Sequence, residues 1–264
     1  MFFRKLFKVG DKVKWILLEL LVVFVGVYMA FLFQQYAEDQ KLKQEKDKVL
    51  MSLKAELDDF RSSFPRYAHS QENKNQEWDS LFAAQEVGDF YGWRYLEPQY
   101  NYKIIEYALN QEGTDVVSFE LYDELSQLHS FIKRLEHAER MMTEHGQWYR
   151  NISQSWNKES MEYKERNADN RFNFFKFIIA AKDRAGNLRR IAEMSEAIVR
   201  TVNDELGPEK AKVAEIKMIH RYLEAEIDED FIKEVFLEYF PNYTEGELDS
   251  IIQEWKQESS PQSK

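Results

Sequence analysis

The chain has 264 residues, 44% of them hydrophobic and 31% charged, and a formal net charge of -11; this is a globular composition rather than a disordered acidic tail. Nine glycines and five prolines are too few for a turn-rich sheet protein and point to long helices. The absence of cysteine excludes disulfide frameworks, thiolate metal centres and thiol nucleophiles, and the acidic balance argues against nucleic acid as a partner.

Residues 1–14 form a short N-terminus carrying Arg4, Lys5, Lys8, Lys12 and Lys14. The stretch WILLELLVVFVGVYMAFLF, Trp15 to Phe33, has Glu19 as its only charge. As a helix it covers about 28 Å, close to a bilayer's hydrocarbon thickness. With Trp15 and Tyr36 at interfacial positions, a transmembrane helix is expected over 15–36. A signal peptide has a shorter apolar region and an A-x-A-like cleavage site; Gln35 and Ala37 make a poor pair, so the segment reads as an uncleaved anchor. The basic N-terminus favours the cytoplasmic side, although Lys41, Lys43, Lys46 and Lys48 follow the span.

At 100° per residue, Glu19, Val23, Gly26, Ala30 and Gln34 fall within an arc of about 80°. This small and polar stripe is the candidate contact face, where another helix can approach closely. The plain alternative is that Gly and Ala are common in any membrane helix. Glu19 has two readings as well, an interfacial anchor at the helix start or a proton-sharing contact with a partner.

Beyond the membrane, Leu42, Val49, Leu53, Leu57, Phe60 and Phe64 give an amphipathic stalk helix over 37–64. Pro65 and HSQENKNQ are expected to interrupt or kink it, before a weaker helical stretch from Glu77 to Val87. The aromatic segment GDFYGWRYLEP, 88–98, is a loop that either plugs the end of a bundle or offers a contact surface. A short helix near Gln99 to Asn110 leads to Ser118, the expected N-cap of a long helix. Its stripe is Leu121, Leu125, Leu128, Ile132, Leu135, Met142, Tyr149, Ile152 and Trp156, broken at Glu139 and Gly146.

FNFFKFIIAA, 172–181, reads as helix from its neighbours, and Leu188, Ile191, Ile198, Val202 and Leu206 extend it to a stop at Gly207-Pro208. Helices are expected from Pro208 to about Ile227, from Phe231 to Tyr239 and from Glu245 to Trp255, with 258–264 fraying. The fold class is therefore all-α: an N-terminal transmembrane helix continuing into a stalk, an elongated antiparallel bundle over 65–207, and acidic C-terminal helices over 208–257. Residues 215–249 hold 11 Asp and Glu against Lys217, Arg221 and Lys233. Such a run is most simply a solvated face, the other readings being a basic partner or loosely held divalent cations.

No phosphate-cradling glycine loop, nucleophile elbow or H-E-x-x-H motif occurs. His129, His137 and His145 repeat every eight residues, so each step turns about 80° and they share no ligand face. No catalytic, cofactor-binding or metal-binding residue is assigned, and no enzyme activity is expected.

The run Glu19-Leu20-Leu21-Val22-Val23-Phe24-Val25-Gly26-Val27 through Ala30, then Gln34-Gln35-Tyr36 and a charged helix with Leu50, Leu53, Glu56 and Leu57, resembles a family of bacterial single-pass envelope proteins of the Bacteroidota type. The likeness continues at lower specificity through Ile104 to Leu109, Leu121 to Leu125 and Phe172 to Leu206, about four-fifths of the chain. The family commonly has Asn-Trp soon after the span, where this chain has Gln35-Tyr36. The resemblance implies an inner-membrane anchor with a cytoplasmic N-terminus and a helical periplasmic region; it implies no activity. The expected function is a non-enzymatic assembly or accessory subunit, partnered by itself or by a multi-pass membrane protein. The alternatives are a periplasmic sensor signalling through a partner and a stator-like subunit of an ion-driven complex using Glu19.

Overall fold

A computed structural model describes residues 11–90, 100, 102–110, 116–149 and 157–259, with side chains from Lys14 onward. Among these residues there are seven helices and no strand. They are α1 (Asp11–Ala83), α2 (Lys103–Leu109), α3 (Phe119–Gln147), α4 (Met161–Leu206), α5 (Pro208–Glu224), α6 (Glu229–Tyr239) and α7 (Glu245–Ser259). The chain divides into two units, Met1–Lys48 and Val49–Lys264.

In the first unit, α1 is long and apolar enough to cross a membrane, and none of its apolar window is buried. In the second, α1 is a core helix. Leu50, Leu53, Leu57 and Phe60 are inaccessible to solvent and Phe64 nearly so, so the half of the expected stalk from Val49 onward belongs to the bundle.

The expected interruption at Pro65 does not occur, because α1 runs through it to Ala83. A proline inside a helix removes one hydrogen bond and clashes with the preceding turn, a penalty of about 3 kcal/mol. Buried side chains on both sides outweigh it: Phe60, Phe64 and Ala68 around the proline, Gln71, Asn75 and Trp78 beyond it. The polar run after Pro65 is helical because its inward members satisfy one another, Gln71 Nε2 donating to Asn75 Oδ1 at 3.0 Å.

The main core joins that face of α1 to Ile105 and Ala108 of α2, to Leu121, Leu125, Leu128, Ile132 and Leu135 of α3, and to Leu188, Ile191 and Val202 of α4. A second, aromatic cluster gathers Trp78, Phe90, Met142, Phe174 and Phe177. Phe90 is buried there against Phe174 and Tyr149, so the start of the aromatic segment plugs this cluster; 91–98 lie outside the described residues, as do Ile152 and Trp156. A third cluster belongs to α5, α6 and α7, with Met218, Ile219, Ile232, Phe236, Leu248 and Ile252 fully buried or nearly so.

The helix boundaries rest on specific caps. Ser118 Oγ accepts from Leu121 N–H at 3.2 Å and Ser160 Oγ from Tyr163 N–H at 3.2 Å, each satisfying an otherwise orphaned helix donor. Gly207 ends α4 with φ +76°, a conformation that favours glycine, and Pro208 begins α5.

Candidate functional site

Three groups of polar residues stand out against this scaffold. The first is the sequence-derived stripe. Glu19, Val23, Gly26, Ala30 and Gln34 all lie on α1 with exposed side chains, and a Cβ added at Gly26 would meet nothing within 4 Å. Gln34 Nε2 donates to Glu38 Oε1 at 2.9 Å, which holds the polar end of the stripe along the helix.

The second group lines the side of α1 that meets α5, α6 and the turn after α6. Lys54 and Asp58 have no solvent exposure; Lys54 Nζ lies 2.7 Å from Asp58 Oδ2 and 2.8 Å from Glu215 Oε1 on α5. Arg61 Nε reaches Asp58 Oδ1 at 2.7 Å, and its guanidinium stands 4.5 Å from the Phe240 ring centroid. One turn on, Arg66 Nη2 binds Glu234 at 3.1 Å and Glu238 at 2.8 Å on α6. Tyr222 on α5 donates its hydroxyl to Asp59, and Arg221 lies 3.5 Å from Glu56. Burial, followed by the neighbouring Asp59 charge, pushes the Tyr222 phenol well above its ordinary range.

The third group is inside the bundle. Arg184 of α4 donates through Nε to Glu139 of α3 at 3.1 Å and through Nη1 to Gln71 of α1 at 3.2 Å. Tyr100 donates to the other Glu139 oxygen at 3.1 Å. Three helices and the segment before α2 thus converge on one ion pair.

Neither buried group was assigned from sequence, yet each left a trace. Lys54, Asp58 and Arg61 repeat at i, i+4 and i+7 with alternating sign beside the apolar stripe. Arg184 occupies a core position between Ala181 and Leu188, as Glu139 does between Leu135 and Met142. The acidic run 215–249 keeps every Asp and Glu at least partly exposed to solvent, and several of them are paired. Glu215, Glu234 and Glu238 meet cations of α1, while Glu229 meets Lys256, Asp249 meets Lys233 and Glu247 meets Lys212.

The three histidines have separate surroundings. His129 Nε2 is 3.4 Å from Glu106, His137 Nδ1 is 2.9 Å from Arg140 Nη2, and His145 Nδ1 is 3.2 Å from Asn173 Oδ1. Among the described residues no group of three His, Asp or Glu side chains could hold a metal ion. A cleft of about 420 Å³ at the α4–α5 joint is lined by Asn203, Asp204, Lys212, Glu215, Asn242 and Tyr243, among others. The chemistry these groups share is charge pairing between helices.

No family model matches this chain, and neither a curated protein nor a solved structure matches it.

Proposed function

We propose that the protein is a non-enzymatic, membrane-anchored assembly or accessory subunit. It holds itself or a multi-pass partner through the Glu19, Val23, Gly26, Ala30 and Gln34 stripe, with its N-terminus cytoplasmic and the Val49–Lys264 unit in the bacterial periplasm. The observation that carries the reading is the contrast within α1. Its apolar window is wholly exposed, while the same helix from Val49 onward is a buried core element. An apolar surface of that length has a bilayer as its natural solvent. The small side chains at Gly26 and Ala30 let a second helix pack closely, and an acid at Glu19 gains most from a polar neighbour there.

The test is purification of the full-length protein in mild detergent at native expression, measuring mass and composition for wild type, Glu19→Gln and Gly26→Leu. A homo-oligomer or a stoichiometric partner complex that Gly26→Leu breaks supports the stripe as the contact face. Loss of a multi-pass partner with Glu19→Gln as well makes the acid part of that contact. A monomer whose span tolerates replacement by an unrelated apolar helix would sink the proposal.

A further inference from the structure

Helices α5, α6 and α7 close around their own core, which shares no residue with the main core of α1 to α4. One covalent joint, Gly207, ties them to α4. Its φ of +76° is left-handed, and a Cβ there would meet nothing within 4 Å, so the backbone at the joint itself has room to turn.

The surface these helices share with α1 is unlike either core. Among the described residues it includes Lys54 with Glu215, Arg221 with Glu56, Tyr222 with Asp59, and Arg66 with Glu234 and Glu238. Arg61 lies against the Phe240 ring. The Arg66 and Arg221 pairs stay partly in water and add little net stability, and for the buried Lys54 pair removal from water largely offsets the attraction. The three-helix lobe is therefore held together more strongly than it is held to α1, and the weaker boundary opens first.

We infer that α5, α6 and α7 act as a clasp that swings as one body about Gly207, uncovering the Lys54–Arg66 strip of α1. Closed, the lobe occupies that strip and satisfies its charges. Open, the strip is a helix face of alternating charge in contact with water. The inference does not depend on how the Met1–Lys48 unit is used.

The absence of cysteine makes a clean test. Ser62 is fully buried and, with Ser63, sits against the Tyr222 hydroxyl, so Ser62→Cys reports opening of the lobe. Ser195, fully buried in α4, supplies a Ser195→Cys control that reports unfolding of the main bundle. In the full chain in detergent, iodoacetamide should alkylate Cys at 62 at least tenfold faster than Cys at 195, because a partial opening is more populated than global unfolding. Adding Arg66→Glu should accelerate modification at 62 by about tenfold and leave 195 unchanged; combining it with Glu234→Lys and Glu238→Lys should restore the slow rate. Ser63→Cys reads the same surface if Ser62→Cys does not fold. Equal rates at 62 and 195 in every background would overturn the clasp, since the lobe would then leave α1 only when the whole bundle unfolds.

Discussion

The charged residues set into the apolar stripes of α3 and α4 are each other's partners: Arg184 Nε lies 3.1 Å from Glu139 Oε1, with the arginine 3% exposed. Gln71 takes the second guanidinium nitrogen, and Tyr100 donates to the second carboxylate oxygen. The network is satisfied only as a set. Arg184→Met should cost about 3 to 5 kcal/mol, because it leaves a buried carboxylate uncompensated. Arg184→Met with Glu139→Met should recover most of that loss, since apolar groups of similar volume can replace a buried pair. Urea denaturation of both variants checks this; a double variant no better than the single would mean that the pair's surroundings cannot repack.

Two glycines should respond in opposite directions to alanine. At Gly88 a Cβ would stand 2.9 Å from Leu81 Cδ1 and 3.1 Å from Phe174 Cζ, inside the aromatic cluster, so Gly88→Ala should destabilise by about 1 kcal/mol after the gain in backbone stiffness. Gly186 is a mid-helix residue of α4 with nothing within 4 Å of its would-be Cβ, so Gly186→Ala should stabilise by about 1 kcal/mol. Thermal melts of the two variants should bracket the wild type.

Helix identity, the caps at Ser118 and the stop at Gly207-Pro208 were legible because each depends on residues a few positions apart. That the helix continues through Pro65 was not legible, because its local penalty is real and what overrides it is tertiary: Phe60, Phe64, Ala68 and Trp78 are buried by helices far away in the chain. The long-range pairing of the acidic C-terminal run was likewise opaque. Glu215 meets Lys54, and Glu234 and Glu238 meet Arg66, more than 150 positions earlier, and no local pattern encodes that pairing. Glu139 was visible as a flaw in a stripe, but Arg184 hid in a helix whose alanine-rich core face weakens the contrast between apolar and polar positions.

Pro65 offers a direct measure of that override. Proline has no N–H to donate to the Arg61 carbonyl, and its side chain is only partly buried. Pro65→Ala should therefore stabilise the Val49–Lys264 unit by about 1 to 3 kcal/mol. A loss of stability in urea would show instead that α1 needs the distortion to seat Phe64 and Ala68 together.

Alkaline pH should loosen the contact between α1 and α5 through Tyr222. Burial and Asp59 raise its pKa in the folded protein, whereas in the unfolded chain the phenol titrates near 10. The folded state therefore keeps a proton that the unfolded chain gives up. The stabilisation is complete below about pH 10 and falls as pH rises above it. Each pH unit in that window should remove up to about 1.4 kcal/mol through this one group. Tyr222→Phe loses the hydrogen bond to Asp59 and should be about 1 kcal/mol less stable at neutral pH, but its stability should fall less steeply above pH 10, because Phe has no proton to hold. Tyr100 and Tyr243, raised in the same direction first by burial and then by Glu139 and Glu215 respectively, keep a residual slope in the variant. Denaturation curves at pH 8 and pH 11 separate the contributions; equal slopes for wild type and Tyr222→Phe would mean that Asp59 does not hold the phenol proton.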